Sequence, residues 1–439
     1  MLTRKRHGRV IELSKPPGSM AGMSATAAAT ANILVEDFAP ARRSLRIAVV
    51  TETYPPEING VAVTLARLVD GLRARNHELQ LVRPRQPSEA AAAHQPCQPC
   101  QPDAGGDSDA SSPTAMDEVL MRGLPIPRYP QLTLGLPSKK ALLARWTLRR
   151  PDIVHIATEG PLGWSALQAA RQLKLPVSSD FRTNFHDYSR HYGVGWLHKP
   201  ILGYLRKFHN QTQHTMVPTE ALRQQLAGFG FQNLCVLARG VDTERFHPRR
   251  RDRALRASWG AGDDTRVLLC VGRLAREKNL LQLVAAFEAI QQAGIDAKLV
   301  LVGDGPARAE LQRRCPQALF AGTRSGVELA THYASADLFL FPSLTETFGN
   351  VTPEAMASGL ALLAYDYAAA AQLVRPGENG LLAPKGDGTS FVRQAVALAA
   401  DPVRARGLGL RARQTATTQD WERLIEQVEQ VMMSAMARV

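Results

Sequence analysis

The sequence predicts an α/β protein built from two Rossmann-like domains that face each other across a cleft. Three observations predict it. The chain has 439 residues, too many for one ordinary core, and about 150 residues per domain gives two or three domains. Apolar, β-branched runs of strand length alternate with stretches of helical apolar spacing, first in LRIAVVTE, VAVTLARLVDGLRARNH and ELQLVRP, and again from RVLLCVGRL onward. Between the two series, near Gly240, ARGVDTERFHPRRRDRALR is turn-rich and then strongly charged, as a domain boundary is.

The elements follow in order. Residues 1–43 begin with basic side chains and continue in a small-residue tract without the compact apolar stretch of a secretory signal. They read as a disordered extension, or as residues upstream of the true start. The first domain, 44–240, opens with a strand at 45–52, the turn TYPPEING, a helix and the strand ELQLVRP, which is a βαβ unit of a parallel sheet. Residues 86–117 are dominated by Pro, Ala, Gly, Ser and Asp, too poor in apolar surface to offset their ordering entropy. They read as a disordered surface insertion whose removal leaves activity intact. DIVHIAT (152–158) is the next strand, LGWSALQAARQLK a helix and LPVSSDF a strand. In the second domain, 241–418, RVLLCVGRL, AKLVLVGDG and DLFLFPS read as strands and NLLQLVAAFEAIQQAG as a helix. Residues 419–439 form a last helix with Trp421, Leu424, Ile425, Val428 and Val431 on one face, expected to pack back toward the first domain.

Composition narrows the function. Hydrophobic residues make up 45% and charged residues 21%, as in soluble globular proteins. No window offers the ~18 uninterrupted apolar residues of a membrane span; ASGLALLAYDYAAAAQLV carries Asp366 and a glycine and reads as a buried strand and helix. Cys97, Cys100, Cys235, Cys270 and Cys315 are scattered, as free thiols in a reducing, cytoplasmic compartment are. Cys97 and Cys100 make a CxxC inside QPCQPCQPD, with no second pair to complete a metal site. A formal charge of +13 favours anionic partners such as nucleotide phosphates or an acidic membrane surface. No DNA- or RNA-binding signature accompanies it, so nucleic acid is not an expected partner.

The chemistry gathers at strand ends of the second domain. In DLFLFPSLTETFGNVTPEAMASG the strand stops at Pro342, Thr352 suits an N-cap and Pro353 the first helical position. Glu354 then lies in the first turn, where the helix dipole favours its charge, and Gly359 ends the helix. Glu346 stands on the preceding loop, and the backbone of Phe348, Gly349, Asn350 and Val351 lies between the two carboxylates. A first-turn Glu is also good helix chemistry with no ligand. Other strand ends strengthen the ligand reading. Arg273 and Lys278 in VGRLAREKN follow a strand and suit a diphosphate, and the glycines of VGDGPAR let backbone approach a ligand.

Taken together, GRLAREKN, VGDGPARAEL, YASADLFLFPS and ETFGNVTPEAMASG resemble the retaining glycosyltransferases of family 4, which have the GT-B fold, most nearly the GDP-mannose-dependent α-mannosyltransferase branch. TETYPPEINGVAVTL, TEGPLG, HDYSRHYG and RGVDTERFHP extend the likeness over about 45–85 and 118–430. The resemblance implies transfer of a hexosyl unit from a nucleotide diphosphate sugar, GDP-mannose first, to a sugar or lipid hydroxyl, with retention and without a metal or other cofactor. It implies that Glu354 accepts hydrogen bonds from the ribose diol and that Glu346 contacts the transferred hexose. It implies that backbone N–H groups of Phe348, Gly349 and Asn350, beside Val351, hold sugar or phosphate oxygens, and that Arg273 and Lys278 neutralise the diphosphate beside the backbone of Gly60. The single literal D-x-D, DSD at 107–109, lies in the low-complexity insertion.

The chain also departs from the family. Relatives often carry a histidine where SSDFRTNFHDYSRHYG has Arg182, which cannot act as a base at neutral pH. His186 and His191 are the imidazoles of that stretch, so the catalytic candidates are Glu346, Arg182 and His186. YDYAAAAQLV replaces a Gly-Gly turn followed by Glu. The basic stretches KKALLARWTLRR (139–150) and WLHKPILGYLRKFHN (196–210) suit peripheral contact with an anionic membrane or, equally, a solvated helix face. A UDP-glucose or UDP-glucuronate transferase, a UDP-sugar epimerase of the same fold, and an inactive nucleotide-sugar-binding protein are the alternatives.

Overall fold

The computed structural model describes residues 44–57, 60–86, 116–126, 129–182 and 198–438. Residues 1–43, His186, His191, the CxxC of Cys97 and Cys100, and DSD 107–109 lie outside the described residues.

Two parallel sheets carry the described chain. The first contains β1 (Arg46–Val50), β2 (Glu78–Pro84), β3 (Asp117–Met121), β6 (Ile153–Ile156), β7 (Val177–Asp180), β8 (His214–Val217) and β9 (Leu234–Val236), ordered β3-β2-β1-β6-β7-β8-β9. A hairpin of β4 (Gly123–Ile126) and β5 (Tyr129–Gly135) lies outside that sheet. The second sheet contains β10 (Arg266–Val271), β11 (Ala297–Val302), β12 (Leu319–Gly322), β13 (Leu338–Phe341), β14 (Ala361–Tyr365) and β15 (Leu381–Ala383), ordered β12-β11-β10-β13-β14-β15. Such strands are covered on both faces, which is why they read as continuous apolar runs. On β1, Ile47 and Val49 join a core under the helix Gly60–Ala74, while Ala48 and Val50 join a second core under the helices Lys139–Leu148 and Pro161–Gln172. That split is the two-residue period of a pleated strand.

The last helix, Trp421–Met436, belongs to the first sheet's core. Ile425, Val428, Met432 and Ala435 pack with Leu65, Leu68 and Leu72. Of the face expected from the sequence, Val431 is only partly buried and Met432 takes the deeper place. The contact is fixed by a buried charge cluster. Leu45 N–H donates to His77 Nδ1 (3.1 Å), so Nε2 carries the proton given to Glu429 (2.6 Å), which also accepts from Arg75 (2.5 Å). A Cβ at Gly71 would sit 1.9 Å from Ile425 Cδ1. Gly71→Ala is therefore expected to destabilise the protein by about 1–3 kcal/mol, the cost of overpacking, read as a lower urea midpoint at unchanged slope.

The insertion expected at 86–117 is too wide at both ends. Asp117 starts β3 and pairs with Gln80, and its carboxylate takes Arg145 at 2.6 Å and Arg149 at 3.2 Å. Gln86 is buried and donates to Tyr54 O (3.0 Å). The partners of both ends are remote in sequence, so composition alone ran past them. The same contacts occupy part of the basic stretch 139–150, where Arg150 also donates to Leu173 O (2.8 Å).

Candidate active site

A doubly wound sheet opens a crevice where neighbouring strands send their chains in opposite directions, beyond the strands' carboxyl ends. In the second sheet that point lies between β10 and β13. The loops leaving these strands carry Arg273, Lys278 and Glu346. The Lys278 ammonium donates to Glu346 Oε1, and Ser343 Oγ donates to the same oxygen at 2.8 Å. Lys278 Nζ also stands 5.7 Å from the centre of the Phe341 ring. Leu344 N–H donates to Glu277 O (3.1 Å), tying the two loops together, and Arg273 is ion-paired with the buried Glu277. Each cation thus meets a carboxylate, and Glu346 is held at the loop with 15% of its side chain exposed.

Glu354 occupies the first turn of the helix Val351–Ala357. The fully buried Tyr333 donates its hydroxyl to Glu354 Oε2 at 2.9 Å. Burial pushes the carboxyl up to about 7, against the pull of Tyr333 and Arg245. One of its two oxygens is therefore already engaged, and a ligand diol would meet Oε1 and the remaining lone pair of Oε2. Tyr333 is a positioning residue that the sequence reading missed.

The helix start differs from expectation. It begins at Val351, with Asn350 rather than Thr352 at the N-cap. Thr352 is buried, and Pro353 falls at the third helical position, where no intrahelical donor is lost. Asn350 makes no side-chain cap; its side chain reaches across to the other half, Nδ2 donating to Thr64 Oγ1 (3.3 Å) and Gly60 O (3.5 Å) and Oδ1 accepting from Arg239 (3.5 Å). Gly60 opens the helix Gly60–Ala74, so both helix starts meet there. Phe348 is a core side chain, and Gly349 has φ +90°, with Glu346 Cγ 3.4 Å from where its Cβ would lie.

The glycines of VGDGPAR have a different reason from the one expected. A Cβ at Gly303 would lie 2.0 Å from Gly272 O, and one at Gly305 2.5 Å from Leu274 O. They let the β11 loop lie against the β10 loop.

The first sheet reverses between β1 and β6, and carboxylates collect there too. Glu52 accepts from Leu162 N–H (3.0 Å), and its own N–H donates to Thr158 Oγ1 (2.8 Å). Burial, with Glu159 nearby, pushes the Glu52 carboxyl up to about 7 despite the Leu162 bond. Glu159 is buried beside His209 Nε2 (3.3 Å). A cavity of about 660 Å³ opens over these groups, walled by Pro137, Trp164, Ile201, Tyr204 and Leu205. TEGPLG held this signal in the sequence, but no residue in it was singled out. On the adjacent strand β7, Asp180 holds Arg182 in an ion pair. Burial opposes its charge, yet Arg182 and His155 keep the Asp180 carboxyl well below the usual range. Arg239, also unforeseen, lies over the Phe348 ring at 5.8 Å.

The comparisons agree with this geometry. The model described as Glycosyltransferase Family 4 matches residues 58–245, and that described as Glycosyl transferases group 1 matches 265–401. A GDP-mannose-dependent alpha-mannosyltransferase of Corynebacterium glutamicum is 31% identical over 88% of this chain and 88% of its own. A protein of the same description from Mycobacterium tuberculosis is 33% identical over 80% of this chain and 87% of its own. Among solved structures, sucrose-phosphate synthase from Thermosynechococcus elongatus superposes with a TM-score of 0.70 at 19% identity, over 90% of this chain and all of the other. Two parallel sheets with ligand-suited switch points, and relatives alike over nearly their whole length, lead to one conclusion: the chain belongs to glycosyltransferase family 4 and is a glycosyltransferase of GT-B fold.

Proposed function

We propose that the enzyme transfers a mannosyl unit from GDP-mannose to a hydroxyl of a membrane lipid or glycan precursor, with retention at the anomeric carbon. The observation that carries this reading is the Lys278–Ser343–Glu346 cluster at the second sheet's switch point. Glu354 takes the ribose diol. Backbone N–H groups of Phe348, Gly349, Asn350 and Val351, with Gly60 opposite, meet the sugar and phosphate oxygens. Lys278 and Arg273 take up charge as the diphosphate leaves, work a metal does elsewhere. The bond from the anomeric carbon to the phosphate oxygen breaks, the acceptor oxygen bonds to the same face, and its proton passes to the departing phosphate. Glu346 lies beside the carbon that turns cationic.

The apolar cavity over Glu52 and Glu159 supports an acceptor with a lipid portion. The helix His198–His209 lines it with Ile201, Tyr204 and Leu205 and turns Lys199, Arg206 and Lys207 outward, which supports peripheral contact with an anionic cytoplasmic leaflet. Among the described residues no helix is long and apolar enough to cross a membrane.

Labelled GDP-mannose, UDP-glucose and UDP-glucuronate, each with and without membrane extract, test the reading. Release of GDP that depends on the extract, with label in the lipid fraction, is the expected result. Isomerised donor without extract would make the protein an epimerase. Tight binding with neither would make it a nucleotide-sugar-binding protein.

A further inference from the structure

We propose that Arg182 and Arg239 form a seat for an oxyanion carried by the acceptor, a carboxylate or phosphate close to the hydroxyl that is glycosylated. The inference rests on the transferase reading above and names the acceptor's chemical class.

The argument begins with charge. Arg273 meets Glu277 and Lys278 meets Glu346, so the cations at the donor-side switch point are matched. Among the described residues Arg182 and Arg239 have one ion-paired carboxylate between them, Asp180, because Glu346 is already paired with Lys278. Arg182 uses its Nε and Nη2 on that group (Nε to Oδ2 is 2.5 Å). Its Nη1 is buried and has no hydrogen-bond partner among the described residues, in a side chain only 8% exposed. Arg239 has no ion pair among the described residues and one long hydrogen bond, 3.5 Å to Asn350 Oδ1. Burial, and then the neighbouring Arg182, push its guanidinium down to about 9, against Asp180 and Glu346. A partly buried guanidinium pair with one counter-charge is costly, and a guanidinium's fixed fork suits a planar or tetrahedral oxyanion.

Arg239 also touches the donor half, at the Phe348 ring and Asn350 Oδ1, but both arginines issue from the other sheet. Arg182 leaves β7 and Arg239 follows β9, both in the sheet that does not carry Glu346 or Glu354. Asp180 and Arg182 leave the strand next to β6, whose loop holds Glu159 and the apolar cavity. The space they line together with Thr64 and Leu237 is small, about 30 Å³, room for an oxygen of the anion and not for a whole headgroup.

The test uses the full chain, with and without GDP, titrated calorimetrically with methyl glucoside, its 6-carboxylate, its 6-phosphate and inorganic phosphate. The charged sugars are expected to bind at least about tenfold more tightly than the neutral one, the size of a charge-assisted contact. Arg182→Gln and Arg239→Gln are each expected to abolish that preference and leave GDP affinity within about threefold. Arg239→Lys is expected to restore part of it. Arg239→Gln breaks no ion pair, so it remains diagnostic where Arg182→Gln, which strands Asp180, fails to fold. No preference in the wild type overturns the proposal. Inorganic phosphate binding as tightly as the sugar phosphate, or variants that lose GDP and keep the preference, overturns the acceptor assignment in favour of a bare anion or the donor's diphosphate. Failure of the wild type to bind any nucleotide speaks against the transferase reading alone, because the titration without GDP still measures the seat.

Discussion

Glu346→Gln is expected to lower kcat by about 10²–10³-fold, the size seen when one preorganised electrostatic group is removed from a reacting centre, while the Kd for GDP changes less than about threefold. The substitution keeps the side chain's length and leaves an oxygen for Ser343 and Lys278, which reach the same Oε1 in the wild type. It removes only the negative charge. In the ground state that charge is matched by Lys278. In the transition state positive charge grows on the anomeric carbon and negative charge on the departing phosphate. A carboxylate and an ammonium in contact then stabilise the two halves separately, so the effect falls on turnover rather than on binding. GDP lacks the sugar and senses the change only through Lys278, whose ammonium stays in place on the remaining oxygen. Steady-state kinetics with GDP-mannose, GDP calorimetry and a thermal melt measured on one preparation decide it. A folded Glu346→Gln enzyme with kcat near wild type would show that Glu346 is not at the reacting centre.

The parts legible in the sequence were those written locally. Strand ends could be read because apolar runs stop at glycine, proline and charge, and both sheets' loops carry that punctuation. Glu354 could be placed in a first turn for the same reason. What stayed hidden depended on groups brought from elsewhere. Tyr333 reaches Glu354 across 21 residues of sequence, and a tyrosine in an amphipathic helix looks like core until its hydroxyl is followed. The start of the helix after Glu346 shifted, and Asn350 there is spent on Gly60 and Thr64, 290 and 286 residues away. Asp117 sat at the end of a polar run and could not be told from it without Arg145. Arg239 lay in RGVDTERFHP, where its charge read as part of a boundary, although folding brings it beside Arg182.

Glu354 yields the second large effect, and pH is its readout. Burial pushes its carboxyl in the folded chain from the ordinary 4.5 up to about 7. The native state holds that proton more tightly than the unfolded one, so the associated stability is fully present below 4.5 and is lost as pH rises through about 7. The shift corresponds to about 3 kcal/mol at most, less for a side chain that is partly exposed. The wild-type melting temperature should fall from pH 5 to pH 8 more than that of Glu354→Gln, with Glu52 supplying a slope common to both proteins. Donor binding runs the other way. Ribose hydroxyls donate hydrogen bonds, and the carboxylate accepts them better than the neutral acid. Only about a tenth of Glu354 is ionised one unit below its pKa, so the wild-type Kd for GDP-mannose is expected to rise about tenfold from pH 8 to pH 6. GDP-mannose is the right probe because its esterified diphosphate does not titrate in that window. Glu354→Gln should bind about ten- to a hundredfold more weakly at pH 8, the loss of one or two hydrogen bonds to a charged group, and its affinity should be flat with pH. A variant that keeps the wild-type slope would assign the titration to another group and take the ribose away from Glu354.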